Sequence, residues 1–207
     1  MGLFGFGKSP KRIQGSIGFF GLEDWWLTAF SDDERRYIQK TFQPLGSSGD
    51  SLTSGVISET TQNVVGLLGA LAGWFGKPED RHIAHKILDK AAELSRGARV
   101  LDVHFLYSQM IETYYKDRNK PEYMDRAVEA CRRQIALARG AARALKAEWG
   151  DSPLPGHRGY EQLAIILEKE RRFQDAIALS RQAESQGWAG DWARRVERCE
   201  KKLAKTG

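Results

Sequence analysis

At 207 residues, with 41% hydrophobic and 29% charged side chains, the chain is long enough to bury a sizeable core and too balanced in composition to be disordered throughout. Its formal net charge of +5 and pI near 9.2 are mildly basic, short of the charge density of a dedicated nucleic-acid binder.

Residues 1–21 set glycines between Leu3, Phe4, Phe6, Ile13, Ile17, Phe19 and Phe20 around a KSPKR cluster. Glycine at this density opposes an isolated helix, so the stretch is expected to be an arm. It either docks its aromatics on the protein's own helices or anchors to a partner or a peripheral membrane surface. Apolar residues precede the basic ones, the reverse of a secretion signal, and Phe6 stands where an N-myristoylation signal has Ser or Thr. A cytoplasmic location is the expectation. Residues 22–44 form an N-terminal helical segment with Trp25, Trp26 and Phe30, and with a capping box at Ser31-Asp32-Asp33-Glu34. Ile38 and Phe42 lie one turn apart on the helix that follows, and Pro44 and Gly46 stop it. Residues 45–58, LGSSGDSLTSGVIS, carry no helical stripe and read as a Gly/Ser linker.

Residues 59–207 show helical pairs built on small residues. Leu71, Ala72 and Phe75 are followed, after a Gly76-Lys77-Pro78 corner, by Ala84, Leu88 and Ala91. In the middle, Tyr107, Ser108 and Ile111 precede Ala127, Cys131 and Gln134 at a wider spacing, which predicts a longer first helix and a wider corner. The second helix is expected to continue to Trp149, where Gly150, Pro153, Pro155 and Gly156 break it. Tyr160, Leu163, Ala164 and Leu167 then pair with Phe173, Ala176 and Ala183 across a corner at Glu170-Arg171-Arg172. Ala72 to Ala84 and Ala164 to Ala176 are the same distance apart in sequence. Asp191 can cap a last helix, Trp192 to Lys205, whose polar back suits the end of an array.

The stretch from Tyr160 to Trp188 resembles a tetratricopeptide repeat, with departures at Arg171, where the corner usually has Gly, at Ser180, where a bulky residue is usual, and at Trp188, where Pro often follows. The resemblance covers roughly 62–188. It implies an all-α fold of stacked antiparallel helical hairpins, a TPR-like α-solenoid, with the N-terminal helical segment before it and a C-terminal capping helix after it. Such a fold implies a non-catalytic scaffold or adaptor that holds a protein or peptide segment in a concave groove. Gly66, Gly69, Gly73 and Gly76 recur every three or four residues and share one face of a helix over 64–76. Each costs about 1 kcal/mol against Ala, so the face needs a compensating reason. In the repeat register this face looks into the groove, where the chain's own N-terminal helix or a partner backbone would cover it. The remaining groove positions implied by the resemblance are Asp102, Phe105, Gln109 and Glu112 in the middle pair and Arg158, Glu161, Ile165 and Glu168 in the last. A mixed acidic and apolar groove suits a partner with basic and aliphatic side chains. Self-association through the arm and the glycine face is a further expectation.

No catalytic triad order, nucleophile elbow, Walker loop or dinucleotide fingerprint occurs, so neither catalysis, a cofactor nor a small-molecule substrate is expected. His82 and His85 read as solvated residues of a helix face, and His104 and His157 stand alone in sequence, so no metal site is expected. Cys131 and Cys199 read as buried thiols of a reducing compartment. Basic residues at Arg132, Arg133, Arg139, Arg143 and Lys146, and again from Arg194 to Lys205, read as solvated faces paired with Glu. Nucleic acid is therefore a less favoured partner.

Overall fold

The computed structural model describes residues 13–44, 50–150 and 152–205. These described residues are mostly helical, with 68% helix in ten segments and little strand. Two compact units divide at Val64. Residues 1–12 of the expected arm and 45–49 of the expected linker lie outside the described residues.

The first unit holds α1 (Gly15–Phe19), α2 (Glu23–Ala29) and α3 (Asp32–Thr41). The capping box forms as the sequence predicts: Glu34 N donates to Ser31 Oγ at 3.2 Å and Ser31 N to Glu34 Oε2 at 2.8 Å. Ile17, Trp26, Phe30, Ile38 and Leu52 fill the core, each no more than 2% exposed. Two expectations meet a different outcome. Ile17 belongs to a helix and to this core, so residues 13–21 are no arm. Asp50, expected in a linker, accepts from the backbone N–H groups of Leu52 and Thr53, and the turn it sets bonds back to the start of α1 through Gln14 N to Thr53 O and Ile17 N to Leu52 O. Gly15 makes this possible: its φ is +58°, and a Cβ there would lie 2.6 Å from Ser51 O. A short polar side chain and a single glycine thus turn Gly/Ser-rich sequence into structure.

The second unit runs α4 (Val64–Ala72), α5 (Arg81–Glu93), α6 (Val100–Lys116), α7 (Pro121–Trp149), β1 (Leu154–Gly156), α8 (Arg158–Lys169), α9 (Phe173–Ser185), β2 (Trp188–Ala189) and α10 (Trp192–Leu203). Packing joins α5 to α6, α6 to α7 and α8, α7 to α8, α8 to α9, and α9 to α10. The small residues singled out by spacing lie at these contacts: Ala84, Ala91, Ala127, Cys131, Ala164, Ala176 and Ala183 are all fully buried. Small side chains let helix backbones approach, and the larger Leu71, Phe75, Ile111 and Tyr160 fill the space between them at 0% exposure. α6 is long and α7 runs unbroken to Trp149, as the spacing predicts. The short parallel pairing of β1 with β2, Leu154 opposite Trp188, is an addition that periodicity does not reveal.

The corner between α8 and α9 shows the consequence of Arg171. It takes φ +61°, alone among the described non-glycine residues, and lets Arg172 N reach Leu167 O at 2.9 Å. A left-handed backbone costs an L-residue about 1–2 kcal/mol, part of which glycine gives back through its freer unfolded chain. Arg171→Gly is expected to raise stability by about 0.5–1 kcal/mol, read as a later midpoint in urea unfolding.

Candidate functional site

α4 has the sequence VVGLLGALA and buries Val65, Leu67, Leu68, Leu71 and Ala72. The helix ends earlier than its glycine spacing predicts. After Ala72 the chain tightens, with Trp74 N on Leu71 O and Phe75 N on Ala72 O, each bond reaching back three residues. Gly73 therefore sits in the closing turn and Gly76 beyond it, so only Gly66 and Gly69 share a helix face. The Gly76 carbonyl instead accepts from Arg81 Nη2 at 3.1 Å, which sets the corner into α5.

Gly66 and Gly69 open a hollow of about 410 Å³ against α6, walled there by Asp102, Phe105 and Gln109. Five of the expected groove residues thus meet in one place. A Cβ built on Gly69 would meet nothing within 4 Å, whereas one on Gly73 would lie 3.5 Å from Gln109 Oε1 and one on Gly76 3.2 Å from Lys116 Nζ. The chain from α4 onward therefore runs alongside α6 in the same direction. Phe105 is 50% exposed at the mouth, and Asp102 is held by Arg99 Nε at 2.9 Å. The hollow thus combines apolar walls, an exposed ring, one carboxylate and bare backbone.

The other expected groove residues divide. Glu112 and Arg158 face each other across α6 and α8 at 3.9 Å, and Glu161 and Ile165 are half-buried on α8. Glu168 is not available to a groove ligand. Its carboxylate is taken by Arg195, Arg198 and Lys202 of α10 and is 10% exposed. Burial alone would raise its pKa, but the hydrogen bond from Arg198 and the charge of Arg195 outweigh burial and hold it below the usual range. α10 claims this residue because it lays its basic face against Glu168 of α8.

Folding also makes a cluster that sequence distance hides. His104 on α6 and His157 at the start of α8 are 3% and 0% exposed. Their rings stand edge-on at 5.0 Å, and Trp188 stacks on His104 at 5.6 Å. Gln134 of α7 bridges them: its Nε2 donates to His104 O at 2.9 Å and its Oε1 accepts from Gly159 N at 2.6 Å. His157 Nδ1 accepts from Tyr160 N at 3.3 Å, capping α8. Burial pushes the His104 pKa down to about 4, and burial together with the neighbouring His104 pushes that of His157 down to about 3. The signal available in sequence was Gln134, a large amide where the spacing leads one to expect a small residue. Cys131, fully buried beside it, has its thiol pushed up to about 12 by burial and is inert.

His85 is likewise no solvated residue, in contrast to exposed His82. It lies 3.2 Å from Asp117 Oδ2, beside the Arg81–Asp117 pair, and its ring packs 4.2 Å from Tyr123. Desolvation lowers its pKa against the opposing pull of Asp117. A wider hollow of about 620 Å³ in the first unit has its polar lining engaged already, with Arg35 on Leu27 O and Gln39 on Asp50 and Thr53. Among the described residues no three His, Cys, Asp or Glu side chains converge as a metal site, and no helix is long and apolar enough to cross a membrane. The described residues form a mostly helical protein with an open hollow between α4 and α6. Compared with known proteins, the chain matches no family model, no curated protein and no solved structure.

Proposed function

We propose that this chain is a non-catalytic, cytoplasmic binding scaffold whose second unit is a TPR-like helical array and whose α4–α6 groove holds a short segment of another protein. The observation that carries the reading is the hollow between α4 and α6, where Gly69 faces open space and Phe105 is half exposed. The equal spacing of Ala72–Ala84 and Ala164–Ala176 supports the repeat, as do the buried small residues and the common direction of α4 and α6. The occupant is a segment with an aliphatic side chain for the Val65–Leu106 floor and a lysine or arginine for Asp102. Asp102, whose side chain is 13% exposed, is paired with Arg99, whose side chain is 72% exposed, and the partner's cation takes the place of that guanidinium.

Selection from a displayed random-peptide library against the full chain tests this directly. Enrichment of peptides pairing aliphatic with basic residues is the expected result. Gly69→Leu fills the hollow and is expected to weaken the selected peptides at least about tenfold while helical circular dichroism persists. Peptides that bind both proteins equally place recognition elsewhere.

A further inference from the structure

The sequence clusters two sets of basic residues, and the structure treats them differently. On α10 most are engaged: Arg194 with Asp191, Lys201 with Glu197, and Arg195, Arg198 and Lys202 with Glu168. On α7, Arg132, Arg139, Arg143 and Lys146 are all exposed, and among the described residues none of them makes an ion pair. At 100° and 1.5 Å per residue the four fall within about 60° of one another and form a straight row about 21 Å long. The buried face of α7, with Cys131, Gln134, Ala138, Ala141 and Leu145, points away from them. Several exposed arginines elsewhere pair with a carboxylate one turn away, as Arg99 does with Asp102 and Arg172 with Asp175, and Glu129, one turn before Arg132, is taken by Arg133. Along this row the cations one turn apart, Arg139 with Arg143 and Arg143 with Lys146, repel one another. Nothing in the fold requires that arrangement.

We propose that this face of α7 binds the phosphate backbone of a nucleic acid without reading its sequence. Charge complementarity selects a polyanion, and the character of the row selects this one. A protein interface needs an apolar centre, and only Ala136 is exposed between the cations. Adsorption to an anionic membrane needs an apolar face beside the charge, and the row has none. A phosphodiester strand asks only for a line of cations, and guanidinium forks suit its oxygens better than ammonium groups do. Trp149, 49% exposed, lies about a quarter turn off the row, so it provides no stacking platform under a base. Contacts are therefore to the backbone, with no preference among bases.

The test is fluorescence anisotropy of the full chain with a labelled oligo(dT) and with a duplex of similar length, from about 50 to 200 mM KCl, with phosphatidylserine vesicles as a third probe. Binding to duplex is expected with a log–log salt slope between about −3 and −4, as four phosphate contacts require. Arg139→Ala/Arg143→Ala is expected to reduce the slope by about two and to weaken low-salt binding at least about tenfold. Arg132→Ala/Lys146→Ala, which spares the middle of the helix, is expected to do the same. Gly69→Leu is expected to leave nucleic-acid binding unchanged, which separates this surface from the groove. The inference is overturned if neither oligonucleotide binds at low salt, if both double variants bind as the parent does, or if the row proves necessary for vesicle binding alone.

Discussion

Acidification from about pH 7.5 to pH 5 is expected to lower the melting temperature of the protein by about 10 °C. His104 and His157 are the cause. Their folded pKa values, about 4 and about 3, lie below the ordinary 6.5, so above pH 6.5 both states are neutral and no stability is at stake. As the pH falls through 6.5 the unfolded chain takes up two protons that the folded chain refuses, and stability declines until the folded values are reached. At pH 5 each histidine accounts for about 2 kcal/mol. His85, lowered by desolvation, adds in the same direction. Glu168 does not contribute in this window, because its stabilisation is lost only below the ordinary carboxylate value of 4.5. Protonation of His157 also conflicts with geometry, since Nδ1 must remain a bare acceptor to cap α8. His157→Asn keeps an N-cap acceptor and removes the titration, so the loss over this range should shrink by about half. Calorimetric scans across the pH series decide the matter: a melting temperature that is flat in the parent, or equally steep in His157→Asn, would count against the cluster.

Gln134→Leu is expected to destabilise the second unit by about 3 kcal/mol. The amide is 0% exposed and satisfies two backbone groups on two helices, His104 O on α6 and Gly159 N on α8. Leucine is close in volume, so little of the cost is a cavity. Most of it is the desolvation of the Gly159 N–H, left without a partner in the first turn of α8 at about 1–3 kcal/mol, and the lost bond to His104 O, which keeps its bond within α6, adds about 1 kcal/mol. Gly159 belongs to the same device, because a Cβ there would stand 2.9 Å from Gln134 Oε1 and 3.0 Å from Cys131 O. Urea unfolding measures the loss directly. Exposed Gln182 provides the comparison: its change to leucine should stay within about 0.5 kcal/mol. A Gln134→Leu variant no less stable than Gln182→Leu would mean that the bridge carries no weight.

Much of the helical framework was legible because helix period is local. Which of Ala164, Ala176 and Ala183 face inward follows from 3.6 residues per turn, and so does the pairing of Leu71 with Phe75. The capping box at Ser31 is legible for the same reason, since all its atoms lie within one turn. The groove was legible in part. Gly66, Gly69, Asp102, Phe105 and Gln109 line one hollow, whereas Gly73 and Gly76 lie past the end of a helix that spacing alone could not terminate.

Whatever depends on residues far apart in the chain was decided by tertiary structure. Glu168 carries the period of a groove residue, yet three cations of α10 take it, because an ion pair is chosen by proximity across helices and not by spacing along one. His104 and His157 each look solitary in sequence, and become a buried, acid-sensitive pair only when Gln134 ties α6 to α8. The two basic clusters look alike in composition. Packing brings Glu168 of α8 to Arg195, Arg198 and Lys202 of α10 and, among the described residues, brings no carboxylate to the row on α7. The sequence by itself determined the helices and their inward faces, through periodic burial of apolar surface; the folded chain alone determined which charges are neutralised, which imidazoles are desolvated and where the groove stays open, because Coulomb and desolvation energies depend on distances that the order of residues does not contain.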